Sequence, residues 1–171
     1  MRGFALGVVV TLVGLVVIVI AVTHLGLYPI GADNPPSQLE RMLAGRAMDV
    51  YADNHKPEGD NPIQPTASNL TEGAKQYEKH CALCHGGAGG LNWCCITLIF
   101  AFAPQLINRI PHDPPSWIFW VTKHGVRMTG MPAWTGILSD DEIWKIVAFI
   151  KNSGKLPPET LAAWQASAVA Q

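Results

Sequence analysis

The chain has 171 residues, a formal net charge of −1, and 15% charged against 49% hydrophobic residues. That balance excludes an intrinsically disordered chain, and a near-neutral charge with no basic stripe excludes nucleic acid as a partner. With 16 Gly and 13 Pro, the chain is richer in loops than an average globular protein.

From Gly3 to Val22 no residue is charged, and Thr11 is the only clearly polar side chain. Twenty residues of helix rise about 30 Å, the thickness of a bilayer's hydrocarbon core. A buried core helix would need a polar face, which is missing here. The run exceeds the roughly 7–15 apolar residues of a secretory signal, and Ala21-Val22-Thr23 is a poor cleavage site. The sequence therefore predicts a single-pass anchor over 1–28, with a cleaved signal as the lesser alternative. Arg2 precedes the span and no Lys or Arg follows it until Arg41. This places the amino terminus inside a cytoplasmic (inner) membrane and everything after Tyr28 on the periplasmic side.

In 29–66, Ser37 and Glu40 have capping-box spacing. Leu39, Met42, Leu43, Val50 and Tyr51 then recur on one helical face. Glu40 and Asp49 balance Arg41 and Arg46, so this helix is expected to pack on the following domain rather than lie on a membrane. Lys56-Pro57, Asn61-Pro62 and Gln64-Pro65 oppose helix and mark a linker up to Thr66. A compact domain is expected over 67–153. Its first helix runs from Asn69 to about Leu83, a short helical piece from Pro115 to His124, and a last helix follows the capping box Ser139 and Glu142. That last helix carries Ile143, Ile146, Val147, Phe149 and Ile150. A tail, 154–171, follows Pro157-Pro158 with one more exposed helix. No strand pattern persists, so the fold class is mainly α: an N-terminal transmembrane helix plus a small all-α domain. A domain of about 85 residues with few long helices usually needs a disulfide, metal or cofactor to complete its core.

Cys81-Ala82-Leu83-Cys84-His85 supplies that staple. The pattern C-x-x-C-H marks covalent attachment of a c-type haem, with two thiols reaching the two porphyrin vinyl groups and the adjacent histidine ligating iron. Zinc would need two further ligands, for which the adjacent Cys94 and Cys95 are an awkward pair. A thioredoxin-like redox pair would need a βαβ context that is absent.

Over Asn69 to Ser153 the chain resembles the class I c-type cytochromes, with one haem. In that family a glycine and an aromatic on the first helix pack against the last helix. Gly73, Tyr77 and Cys81 stand four apart on one face, with Ile146 and Phe149 at the opposing positions. Gly130-Met131-Pro132-Ala133-Trp134 resembles the family's second-ligand loop. There Pro132 keeps Met131 out of helical geometry and Gly130 allows tight backbone approach. The resemblance implies His85 and Met131 as the metal ligands, with Met128, His112 and His124 as rivals for the second position. A soft, neutral thioether favours reduced iron and raises the potential. The family also implies a proline carbonyl accepting from the proximal histidine, here Pro104. Trp117, Trp120 and Trp134 are expected to wall the haem, and Arg109 and Arg127 to neutralise propionates or serve as solvated surface charges.

One stretch departs from the family. Leu91 to Phe102 is apolar and carries Cys94 and Cys95, where relatives have a polar, Gly-rich loop. It is either an insertion that packs on a partner or membrane, or a local reading-frame change between Gly90 and Pro104. The resemblance implies a one-electron carrier with one covalent haem c, tethered to the membrane in a respiratory or dehydrogenase chain. Its partners would be redox proteins, met transiently or as fellow subunits of a respiratory complex. Lys79, Lys123 and Arg127 would lend the docking rim a weak positive field. The alternative is a peroxidase-like haem enzyme or gas sensor with an open or labile sixth iron site.

Overall fold

The computed structural model describes residues 2–31, 34–89, 103–107 and 109–169. Leu91 to Phe102, with Cys94 and Cys95, lies outside them. Among the described residues the chain is helical, with one isolated bridge between Thr135 and Leu138. It divides into two units, Met1–Ser37 and Gln38–Gln171.

The first unit is one helix, α1 (Arg2–His24), none of whose side chains is buried. Its threonines do not interrupt the apolar surface. Thr11 donates its hydroxyl to the Gly7 carbonyl at 3.0 Å, and Thr23 donates back to Ile20 at 2.9 Å. Both hydroxyls thus spend their hydrogen bond within the helix. The helix ends in a Schellman arrangement: Leu27 N–H to Val22 O at 3.1 Å and Gly26 N–H to Thr23 O at 3.3 Å. Gly26 takes the left-handed conformation the motif requires, with φ 64°.

The second unit holds α2 (Gln38–His55), α3 (Ala67–His80), the single turn α4 (Ala82–His85), α5 (Pro115–His124), α6 (Asp140–Asn152) and α7 (Pro158–Val169). The α3 helix starts two residues earlier than the pattern predicts, because the Thr66 hydroxyl accepts from Asn69 N–H. At α6 the expected capping box forms, with Ser139 and Glu142 each bonding the other's backbone.

The centre of this unit is the crossing of α3 and α6. A methyl group on Gly73 would lie 2.1 Å from the Lys145 carbonyl oxygen, so the two backbones touch where only glycine fits. One turn on, Tyr77 and Phe149 are fully buried with ring centroids 5.3 Å apart. Ile143, Ile146, Val147 and Ile150 fill the α6 side. Phe119 of α5 stacks on Trp144 of α6 at 4.1 Å.

Two expectations are corrected here. The C-terminal helix is not exposed: α7 packs on α3, with Thr160 and Trp164 both buried. The Thr160 hydroxyl donates to Ala67 O at 3.2 Å, and Trp164 stands edge-on to Phe149 at 5.1 Å. Two inward residues one turn apart, one of them polar, are too faint a pattern to read from sequence. The apolar face of α2 packs only in part: Leu39, Met42 and Leu43 remain about 60% exposed, while α2 meets α5 through Tyr51 of that face, against Trp120.

Gly73→Ala should force α3 and α6 apart and cost about 2–3 kcal/mol, as overpacking against backbone does. Denaturant unfolding of the haem-loaded protein should show a lower midpoint with an unchanged slope.

Candidate cofactor site

The site begins where α3 ends. Cys81 caps α3, and its carbonyl accepts from Cys84 N–H at 3.1 Å and from His85 N–H at 2.9 Å. These bonds close α4, which therefore carries Cys81, Cys84 and His85 on one turn. Gly86 stops it with φ 82°, and a side chain there would also strike the Gln105 amide oxygen. From the core, Tyr77 donates its hydroxyl to Gly86 O at 2.7 Å, with His85 O also in reach at 3.1 Å. Burial holds that phenol far above its ordinary pKa, so it remains an O–H donor.

The protonation states follow from the same burial. Desolvation pushes the Cys81 thiol up to about 12 and raises Cys84 as well. It lowers His85, against the opposing effect of its hydrogen bond to the Pro104 carbonyl. The site thus favours neutral sulfur and a neutral imidazole over thiolate and imidazolium. His85 Nδ1 stands 2.8 Å from the Pro104 carbonyl. A carbonyl only accepts, so Nδ1 carries the proton and the Nε2 lone pair is left free. Two further bonds lace 103–106 to the motif: Leu106 N–H to His85 O at 3.2 Å and Gln105 Nε2–H to Cys84 O at 3.3 Å.

This donor set fits a covalently attached porphyrin: two neutral sulfurs on one turn, and one oriented imidazole with a free nitrogen. Among the described residues, no three His, Cys, Asp or Glu side chains gather as metal ligands.

A second loop follows α5. Gly125 closes α5 with φ 67°, and a Cβ there would sit 2.6 Å from the Pro132 carbonyl. A close backbone approach in this loop is thus made at Gly125, which the sequence did not single out. A glycine directly after His124 is a helix C-cap signal that could have found it. The loop closes on itself: Val126 N–H to Met131 O at 3.2 Å, Met131 N–H to Thr129 Oγ1 at 3.1 Å, and Trp134 N–H to Lys123 O at 3.1 Å. Met131 is half-buried, whereas Met128 is 98% exposed and held at φ 62°.

The remaining named residues separate. Trp134 packs edge-on to His80, at the end of α3, at 4.8 Å. Trp120 lies instead with Tyr51, His55 and His124, between α2 and α5. Trp117 is half-buried against the core, and His112 is exposed. Arg109 and Arg127 are exposed. Lys123 is 2.7 Å from Asp140, which cancels much of the positive charge expected of it. Sequence reading also missed Glu78. Its carboxylate is buried and accepts from Trp164 Nε1–H at 2.7 Å and from Ala88 N–H at 3.3 Å.

Comparison with known proteins agrees with this chemistry. Residues 68–150 match the family model described as cytochrome C oxidase, cbb3-type, subunit III. The chain is 28% identical over 83 residues to cytochrome c6 of Parathermosynechococcus lividus, covering 48% of this chain and 88% of that protein. It is 29% identical over 84 residues to cytochrome c6 of Thermosynechococcus vestitus, covering 49% and 70% respectively. No solved structure gives a significant match. This half of the chain is a monohaem class I c-type cytochrome domain. It carries covalently bound haem c, and the protein is a haem-based electron carrier that exchanges electrons with redox partner proteins.

Tyr77→Phe should leave the Gly86 carbonyl without this donor and the His85 carbonyl with Leu106 N–H alone. The expected loss is about 1–3 kcal/mol, read as a lower unfolding midpoint of the haem-loaded protein.

Proposed function

We propose that the chain is a membrane-tethered carrier whose haem is bonded to Cys81 and Cys84 and whose iron is held by His85 and Met131. The observation that carries this reading is the His85–Pro104 hydrogen bond, which fixes the tautomer and leaves Nε2 free beside both thiols. The haem supplies reversible one-electron chemistry; the chain orients the imidazole through Pro104 and presents both sulfurs at one turn for attachment. Met131 is preferred to Met128 because it is half-buried in a closed loop, while Met128 extends into solvent. With His85 and Met131 both holding the iron, a substrate would have no place on it, which favours carriage over peroxidase-like catalysis or gas sensing. Arg109, Arg127 and Trp134 are proposed to border the haem. Trp120, grouped with Tyr51 and His55, fits that role less well.

The tether is α1. Twenty-three residues rise about 35 Å, every threonine hydroxyl is satisfied internally, and Arg2 lies on the inner side. The domain division proposed is an anchor over 1–28, a connecting segment over 29–66, the haem domain over 67–153 and a C-terminal segment over 154–171. The family description that matches 68–150 names an oxidase subunit. This supports placing the chain at the periplasmic face of a cytoplasmic membrane, in a respiratory or dehydrogenase chain, as a shuttle or a resident subunit.

The full chain, matured with haem, should give a reduced c-type spectrum that carbon monoxide does not move. Met131→Ala should open the iron to carbon monoxide and lower the midpoint potential. A shift in the parent protein would instead favour the gas-binding or peroxidase-like alternative. Alkaline extraction of membranes should leave the full chain in the pellet, and deletion of 1–28 should release it. A mature protein that begins after the apolar run would mark α1 as a cleaved signal.

A further inference from the structure

Glu78 is a charged residue buried to 8% exposure in the core of the domain. It makes no ion pair with a described cation; two N–H donors, from the Trp164 indole and the Ala88 backbone, compensate it instead. Its position is specific. In sequence it precedes Cys81 by three residues, and its bonding partner Ala88 follows His85 by three. A Cβ on Gly87 would lie 2.5 Å from its carboxylate, so the chain just after the motif runs directly over it. Trp164 belongs to α7, beyond the 68–150 family match.

We propose that Glu78 tunes the haem. Its buried charge biases the iron toward the oxidised state, while Trp164 of α7 holds the carboxylate against the segment that follows His85. Oxidation removes one electron from the iron and leaves one more positive charge at the haem. A fixed anion in a poorly hydrated site stabilises that charge and lowers the midpoint potential. The indole and amide donors make the buried charge tolerable and partly offset its field. The proposal rests on covalent haem at Cys81 and Cys84 with His85 as ligand.

The test is equilibrium redox titration of the full-length, haem-loaded chain and its variants, with the covalent haem verified by its spectrum. Glu78→Gln keeps the shape and an acceptor for Trp164 but removes the charge, so its midpoint potential should rise above the parent's. Glu78→Asp keeps the charge but shortens the reach; it should stay near the parent potential while losing stability. A purely structural role would move the two variants alike or leave Glu78→Gln at the parent value, and either result overturns the proposal. Should Glu78→Gln not retain haem, Trp164→Phe decides. It keeps the charge and loses one compensating donor, so the potential should fall; an unmoved or raised potential overturns the proposal. Absence of covalent haem from the parent protein would refute the underlying site instead.

Discussion

The backbone contact at Gly73 is the constraint on which this domain depends. Because α3 and α6 touch there, the residues one turn on, Tyr77 and Phe149, are pressed together and fully buried. Burial fixes the Tyr77 ring, which points its hydroxyl at the carbonyls of His85 and Gly86. The position of His85 is thus inherited, through one phenol, from a helix crossing. A packing requirement in the core becomes a geometric requirement at the cofactor.

The second hold on His85 comes from the opposite direction. Pro104 has no N–H to offer, but its carbonyl takes the Nδ1 proton, and its neighbours Gln105 and Leu106 bond the backbone of Cys84 and His85. Tyr77 therefore fixes the main chain of the motif while Pro104 fixes the ring. Electrostatics act the same way: burial raises both thiols and lowers the imidazole, so all three groups are poised neutral.

The parts of this arrangement that were legible in the sequence are those written in short, local patterns. C-x-x-C-H, the Ser139–Glu142 capping box, the 73-77-81 spacing and the apolar run of α1 each depend on residues within one or two turns. Pro104 was reachable only through the family resemblance, which implies a proline carbonyl after the motif. Glu78, Trp164 and Gly125 were not. The Glu78–Trp164 bond spans 86 residues, and no periodicity announces a single indole aimed at a single carboxylate. The outward turn of α2 was hidden for a related reason: an apolar stripe shows that a face exists but not which neighbour it meets. Nothing in the sequence placed Trp120 beside Tyr51 and His55, since an indole suits an aromatic cluster as well as a haem wall.

The C-terminal helix changes how the domain's boundaries should be understood. Residues 68–150 carry the family match, yet Phe149 is covered on one side by Trp164 and Ala67 is tied to Thr160. A domain this small gains from such an addition, because each buried aromatic removes a large apolar area from water where core area is scarce. The same indole that covers Phe149 also donates to Glu78. One side chain therefore serves both the hydrophobic core and the only buried carboxylate among the described residues. Apolar cover and polar compensation are coupled here, so the core closes over a charge beside the cofactor segment without leaving that charge unpartnered. An apolar residue at position 78 would fill the same place but leave the Trp164 indole and the Ala88 amide without their acceptor, so the carboxylate is part of how this core closes.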